Sequence, residues 1–193
     1  MGYISRAELK SYKNISIGGD DALLDALILA AQNMVEDYTG RVFAASADET
    51  RYLDVARMAE GDTLYLDKDL CAITTVTNNA DGTAEVLTTA HYTTLPRNET
   101  PYYAIKLLTS TGKYWRYTSN SENGITIVGK WAYSTTPPSV IKQACTRLAA
   151  YFYQQRDAQV FDVTADLESG QLIIPKGLPQ DVKIMLDHYR RVI

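Results

Sequence analysis

The sequence predicts an α+β protein: a small bundle of helices from the N- and C-terminal parts, with a large antiparallel β insertion, barrel- or sandwich-like, in the middle. Apolar residues recur at helical spacing near both ends of the chain. The middle is rich in Thr, Tyr and Val and is interrupted by turn residues. This change of pattern divides the chain into a helical part, residues 1–42 and 129–193, and a strand-rich insertion, residues 43–128.

Two helices are predicted before the insertion. Ser5 and Glu8 have the spacing of a capping box at the start of the first helix. Asp20 or Asp21 is a good N-cap for the second helix. Gly40 is expected to end it, because glycine adopts the left-handed conformation readily. The apolar stripe of the second helix consists of Leu24, Leu27, Ile28, Ala31, Met34, Val35 and Tyr38.

Short strands separated by turn signals are predicted in the insertion. The turn signals are Asn78–Gly82, Pro96–Asn98 and Ser119–Gly124. The predicted strands are Thr50–Leu53, Thr63–Leu66, Ile73–Thr77, Ala84–Leu87, Tyr92–Leu95, Ala104–Leu108, Tyr114–Tyr117 and Ile125–Val128. Their close spacing is typical of an antiparallel barrel or sandwich.

A long helix is predicted after the insertion. Thr136 is its expected cap, with Pro137 at the first helical position, where no amide hydrogen is needed. The helix is expected to end near Asp157. Its apolar stripe consists of Val140, Ile141, Ala144, Cys145, Leu148, Tyr151 and Phe152.

A polar connector, Asp162–Gly170, and a last helix complete the chain. Leu178 and Pro179 open this helix, and Arg190 and Arg191 close it, where cations favour the negative end of the helix dipole.

Charge and composition limit the classes of partner. The formal net charge is −4, which gives the protein no electrostatic reason to bind DNA or an anionic membrane tightly. No apolar run approaches membrane-spanning length, and the N-terminus has no apolar core of a signal peptide. Cys71 and Cys145 are compatible with one disulfide, and the pattern favours two free thiols, as in a reducing cytosol.

No catalytic, cofactor-binding or metal site is predicted. His91 and His188 are the only histidines, and neither has a Cys or His at zinc spacing. Gly18-Gly19 precedes a helix as a phosphate loop does, but the aspartates that follow at once would repel a phosphate. Asp67 and Asp69 lack the further oxygens and the glycine of a calcium loop. The sequence therefore predicts a protein that is not an enzyme.

The 14 tyrosines are the unusual part of the composition. One interpretation is an exposed aromatic surface of the insertion that binds a protein partner or a sugar. The other is a small core with aromatic pairs across strands. The candidate residues of this insertion surface are Tyr102, Tyr103, Tyr114, Trp115 and Tyr117.

Three segments resemble the head–tail connector (adaptor, or head completion) proteins of tailed bacteriophages. Met34–Phe43 is similar to the end of the family's first helix, with its Tyr-Thr-Gly-Arg cap. Ile127–Tyr133, followed by Pro137-Pro138, looks like the Gly-x-Trp-Gly-Tyr strand that leads into the second long helix, although Ala132 replaces a glycine. Leu178–Arg191 is similar to the closing helix. The stretch from Phe43 to Ile125 matches no motif of the family.

The resemblance implies a structural virion protein made in the cytoplasm of the host bacterium. Such adaptors form a ring, commonly twelve-fold, under the portal protein, and a stopper or tail-completion protein attaches below. DNA passes through the ring without specific binding, which suits an acidic protein. Each subunit of a ring carries two different contact surfaces.

The resemblance also gives a candidate interface with the portal or with other subunits, formed by the terminal helix. Its residues are Leu178, Val182, Met185, Leu186, Tyr189, Arg190 and Arg191. The connector from Asp162 and the terminal helix are candidates for an arm that becomes ordered on docking with the portal. The alternatives are an aromatic β module that binds a glycan or another host surface ligand, and a hydrolase whose catalytic pair is distant in sequence.

Overall fold

The structure, a computed structural model, describes residues 2–16, 19–158, 164–166, 171–173 and 178–191. Contacts between Cα atoms divide the chain into two compact units. The strand unit is Val42–Thr136, and the helical unit combines Gly2–Arg41 with the residues from Pro137 onwards. Five helices and two four-stranded antiparallel sheets among the described residues confirm the predicted α+β class.

The capping box of the first helix and the glycine that ends the second are present as predicted, whereas Asp20 occupies the N-cap position of the second helix without a side-chain capping bond. Helix α1, Arg6–Lys13, begins with a capping box in which Ser5 and Glu8 bond each other's amides. These bonds, the Ser5 amide first, lower the pKa of Glu8. Helix α2, Asp21–Thr39, follows Asp20 and ends at Gly40, which has a φ of 67° in the left-handed region.

Helix α2 and the long helix α4, Ser139–Ala158, pack against each other in the helical unit. Helix α4 begins two residues later than the predicted first position, Pro137. A proline disfavours the helical conformation in the residue before it, so the Pro137-Pro138 pair keeps Thr136 and Pro137 outside the helix. The buried apolar residues of these two helices are Leu24, Ile28, Ala31, Val35, Ile141, Ala144, Cys145, Leu148, Ala149 and Ala150.

The terminal helix α5, Gln180–Asp187, packs against α4 and the end of α2. The short strands β9, Thr164–Asp166, and β10, Gln171–Ile173, pair in an antiparallel ladder that the sequence did not predict. Most of the predicted arm from Asp162 lies outside the described residues.

Two antiparallel sheets form the strand unit. Their orders are β1-β8-β4-β5 and β2-β3-β7-β6. The strands are β1 Glu49–Leu53, β2 Ala59–Glu60, β3 Thr63–Leu70, β4 Ala72–Asn78, β5 Glu85–Leu87, β6 Tyr92–Leu95, β7 Tyr102–Leu107 and β8 Ile125–Lys130. Seven of the predicted strands are present, and a short helix, α3, spans Val55–Met58 between β1 and β2.

A single hydrophobic core lies between the two sheets. Alternate residues of β8, Ile125 and Ile127, face it, as expected for a sheet with one solvated face. The core also contains Leu53, Val55, Leu64, Leu66, Leu70, Val76, Leu87, Tyr92, Ile105, Leu107, Trp115 and Trp131.

The strand unit extends beyond the predicted boundary at residue 128, to Thr136. The Trp131 Nε1–H donates to the carbonyl of Glu49 at 3.1 Å, and the Tyr133 amide donates to the carbonyl of Val42 at 2.8 Å. The rings of Phe43 and Tyr133 also lie 5.6 Å apart. These contacts fasten the segment after β8 to the beginning of the strand unit.

Candidate interaction surfaces

The candidate catalytic groups serve local structure. His91 Nδ1 accepts a hydrogen bond from the Thr88 amide at 3.0 Å, within a turn. Asp67 pairs with Arg51 at 2.7 Å. His188 is exposed, and its ring meets that of Tyr189 edge to face. Across the part of the chain that the structure describes, no three His, Cys, Asp or Glu side chains converge in a metal-binding group.

Both cysteines are free thiols. Cys145 is fully buried in α4, and burial raises the pKa of its thiol to about 12. Burial also raises the pKa of Cys71, whose thiol lies 3.3 Å from the carbonyl of Lys130. A raised thiol pKa means little thiolate at neutral pH, so neither sulfur has the character of a nucleophile.

The predicted interface residues of the terminal helix divide between core and surface. Val182 and Leu186 are fully buried and complete the core of the helical unit. Leu178, Met185, Tyr189 and Arg191 are partly buried, and Arg190 is exposed. Any contact with a partner therefore falls to the outward side of this helix and to the residues after it.

Helix α5 is fixed to its neighbours by polar contacts at both ends. Arg147 of α4 pairs with Asp181 at 2.6 Å, and this bond lowers the pKa of Asp181. At the other end the Tyr38 hydroxyl donates to Asp187 at 2.5 Å, which raises the pKa of Tyr38. The Arg190 guanidinium lies 5.3 Å from the centre of the Tyr38 ring. These contacts at both ends hold helix α5 in one position on the helical unit.

The aromatic residues of the predicted insertion surface also divide. Tyr114 is 63% exposed, Tyr103 is 50% exposed and Tyr117 is 47% exposed, whereas Tyr102 is partly buried. Trp115 is buried in the core, and its Nε1–H donates to the carbonyl of Asp62 at 2.9 Å. Trp115 therefore anchors the segment that displays its tyrosine neighbours.

The predicted strand Tyr114–Tyr117 is wrong: this segment is an irregular loop. The buried side chain of Asn78 makes the hydrogen bonds to the backbone of this segment that a neighbouring strand would otherwise make. Its Nδ2 donates to the carbonyl of Tyr114 at 3.0 Å, and its Oδ1 accepts from the Arg116 amide at 3.1 Å. We call residues 113–120 the tyrosine loop.

Asp81, in the turn between β4 and β5, holds the end of the tyrosine loop. Its carboxylate accepts hydrogen bonds from the amides of Ser119 and Asn120, each at 2.7 Å, and from that of Thr118 at 3.0 Å. These bonds, Ser119 first, lower the pKa of Asp81 to about 2. Three consecutive backbone amides thus bind the charged carboxylate of Asp81 from the same chain.

Neighbouring contacts fix the start of the tyrosine loop. Glu85 of β5 pairs with Lys113 and with Arg116, and the bond to Lys113 is the main reason for the lowered pKa of Glu85. A Cβ atom at Gly82 would collide with the Thr118 side chain, so only glycine permits this close approach. The loop therefore presents Tyr114 and Tyr117 in a preorganised conformation.

Each unit also has an open hollow. The one in the helical unit, of about 350 Å³, is bordered by Tyr12, Lys13, Arg147 and Asp181, and Arg147 and Asp181 already pair with each other. The one in the strand unit, also about 350 Å³, is bordered by Tyr92, Tyr102 and threonines. Neither combines a nucleophile with a base, so surfaces rather than cavities are the candidate sites. No helix in the described ranges has the length and hydrophobicity needed to span a membrane.

Solved structures with the same fold come from the necks of gene transfer agent (GTA) particles. The neck of an empty GTA particle, computed with C6 symmetry, contains a chain that matches with a TM-score of 0.62 at 19% identity, over 99% of this chain and 91% of that chain. The neck of a native particle, computed with C12 symmetry, gives a TM-score of 0.57 at 19% identity, over 97% and 88% of the two chains. A chain of the native GTA virion gives 0.61 at 18% identity, over 99% and 91%. At these identities the likeness establishes the fold.

A match to a protein-family model identifies the family of this chain. The family model described as "Head completion protein" (HCP) matches residues 3–192, and the chain belongs to this family. No curated protein matches the sequence. The family confirms the resemblance read from the helices and from the segment Ile127–Tyr133.

Proposed function

We propose that this protein is the head–tail connector of a tailed, phage-like particle. It forms a twelve-fold ring under the portal protein, a stopper or tail-completion protein attaches below it, and DNA passes through the ring. The observation that carries the proposal is the match to the head completion family over residues 3–192. The C12 symmetry computed for the neck of the related GTA particle supports the ring.

The charge of the chain suits a conduit for DNA. The net charge is −4, so a ring of identical copies carries the same sign as the DNA that moves through it. Like charges keep the polyanion from binding to the wall. The protein acts through contacts with other virion proteins and catalyses no reaction.

The two candidate surfaces supply those contacts in this proposal. The exposed part of α5, with Arg190 shortly after its end, forms the interface with the portal or with a neighbouring subunit. Tyr103, Tyr114 and Tyr117 form the insertion surface, where fixed aromatic side chains give contact area at low entropic cost.

Deleting the gene in a bacterium that produces the particles tests the proposal. Electron microscopy of the lysate is expected to show heads and tails that are not joined, because the connector between them is missing. A plasmid that encodes the full chain should restore joined particles, and the same plasmid with an early stop codon should not. Joined particles at the normal frequency in the deletion strain would refute the proposal.

A further inference from the structure

The open hollow of the strand unit is bordered by residues of both sheets, beside the edge strand β6. Ile73 of β4 and Tyr102 of β7 border it and also pack against the hydrophobic core. Tyr92 and Thr94 lie on the face of β6 whose partners in β7 are buried. The hollow is therefore an opening at the margin of the core. Its volume of about 350 Å³ lies within the range of small-molecule sites, about 300–1,000 Å³.

Hydroxyl groups dominate the border of this hollow. Five of its six described border residues carry a hydroxyl, and none is charged. They are Ile73, Thr89, Tyr92, Thr93, Thr94 and Tyr102. Among the residues that the structure describes, none forms a hydrogen bond with these hydroxyl groups. A hydroxyl can both donate and accept, so the hollow offers unpaired polar groups to a ligand.

Two tyrosine rings supply the apolar part of the border. Tyr92 is 9% exposed and belongs to the core, and Tyr102 is partly buried, so packing holds both rings in place. Burial, and then the neighbouring Tyr102, raise the pKa of Tyr92. The Tyr92 phenol therefore keeps its proton at neutral pH and remains a hydrogen-bond donor. Each tyrosine thus combines an apolar ring with a polar end.

This combination of groups selects an uncharged, hydroxyl-rich ligand. An ionic ligand finds no opposite charge among the described border residues, and DNA finds no cation for its phosphates. A purely apolar ligand would displace water from the hydroxyls and leave them without partners. A sugar ring instead has C–H groups that pack on aromatic rings and hydroxyls that bond to other hydroxyls.

We propose that the hollow of the strand unit binds a neutral saccharide. The C–H face of a sugar ring packs on Tyr102, and the sugar hydroxyls bond to the hydroxyl groups of Tyr92 and Thr94. The exposed Tyr103 and Tyr114 do not border this hollow, so the site is separate from the insertion surface. The site goes beyond the connector function and does not depend on it, because ring assembly needs contacts between proteins.

Saturation-transfer difference NMR with the full chain tests this site. The probes are glucose, galactose, mannose and N-acetylglucosamine at millimolar concentration, with glucuronate as the charged comparison. We expect a signal from the C–H protons of at least one neutral sugar and a much weaker signal from glucuronate. Tyr102→Ala should lower the affinity about tenfold or more, because it removes the packing surface. The matched control is Tyr65→Ala, since Tyr65 is 46% exposed on β3 and does not border the hollow.

A second variant separates hydrogen bonding from folding. Thr94→Val removes one hydroxyl and nearly keeps the shape of the side chain, and it should weaken sugar binding by about twofold to tenfold. Its control is Thr50→Val on the exposed strand β1, which should bind as the wild type does. If Tyr102→Ala does not fold, this pair decides.

Three results would overturn the inference. The first is no signal from any of the four neutral sugars, and the second is an equal signal from glucuronate. The third is unchanged binding in Thr94→Val, or in a folded Tyr102→Ala. None of these results touches the connector function, because the joining of heads and tails is expected to be normal in both variants.

Discussion

Single polar side chains decide the conformation of the tyrosine loop. Asn78 and Asp81 bind its backbone through directed hydrogen bonds, and Trp115 inserts its ring into the core below it. The sequence reveals Asn78–Gly82 as a turn, but it does not show that these turn residues also bind a loop more than thirty positions later. The aromatic-rich run Tyr114-Trp115-Arg116-Tyr117, followed by turn residues, therefore suggested a strand.

The substitution Asp81→Asn is expected to lower the melting temperature of the strand unit. The neutral amide loses the charge-assisted bonds to the Thr118, Ser119 and Asn120 amides. Thermal unfolding followed by circular dichroism measures the effect, and hydrogen exchange at these amides should become faster. The control is Glu99→Gln, since the Glu99 side chain is exposed.

The effect of Asp81 should depend on pH in a defined direction. Its pKa is about 2 in the folded protein, compared with an ordinary value of 3.8. Its contribution is therefore present above the unfolded pKa and is lost as the pH falls towards 2. The melting temperatures of the wild type and Asp81→Asn should converge between pH 6 and pH 2. A constant difference over this range would mean that the carboxylate charge is not the cause.

At the scale of elements, apolar periodicity and capping residues were sufficient to predict a helix or strand wherever one of its faces packs against a core. The capping box at Ser5, the end of α2 at Gly40 and the strand Tyr92–Leu95 were all predicted and are confirmed. The start of α4 was wrong because two consecutive prolines restrict the preceding residues more than one proline does. The short helix α3 was missed because its four residues are too few to show a period.

The candidate interfaces were harder to predict than the elements. Apolar residues alone do not show which side chains of α5 belong to the core, such as Leu186, and which are exposed on the surface, such as Ile184. The fold makes the distinction, since Leu186 is fully buried and Ile184 is 65% exposed. Helix α2 had a signal in the sequence: the 14 residues from Ala22 to Val35 within it contain a single charged residue, Asp25.

This division of α5 predicts different effects for two neighbouring substitutions. Leu186→Ala should destabilise the helical unit by about 2–5 kcal/mol, because it leaves a cavity in the core. Ile184→Ala on the same helix should change the free energy of unfolding by no more than about 0.5 kcal/mol in the isolated chain. Urea denaturation measures both. Equal losses would show that Ile184 also belongs to the core.

At the scale of the whole molecule, the chain combines a helical unit that exposes Leu29 and Ile184 with a strand unit that carries a fixed tyrosine loop. Each unit has its own core, and each exposes apolar or aromatic side chains. Such a chain is suited to assembly, because burial of these surfaces requires other protein molecules. Its membership of the head completion family is consistent with that design.

The most direct test of the connector proposal is electron cryo-microscopy of the neck of the particles that contain this protein. The proposal predicts a ring of twelve copies of the chain between portal and tail, as the C12 symmetry of the related neck suggests. It also predicts that the density follows both the helical unit and the strand unit. Finding the chain in the capsid shell or tail tip, and none in the neck, would contradict the proposal.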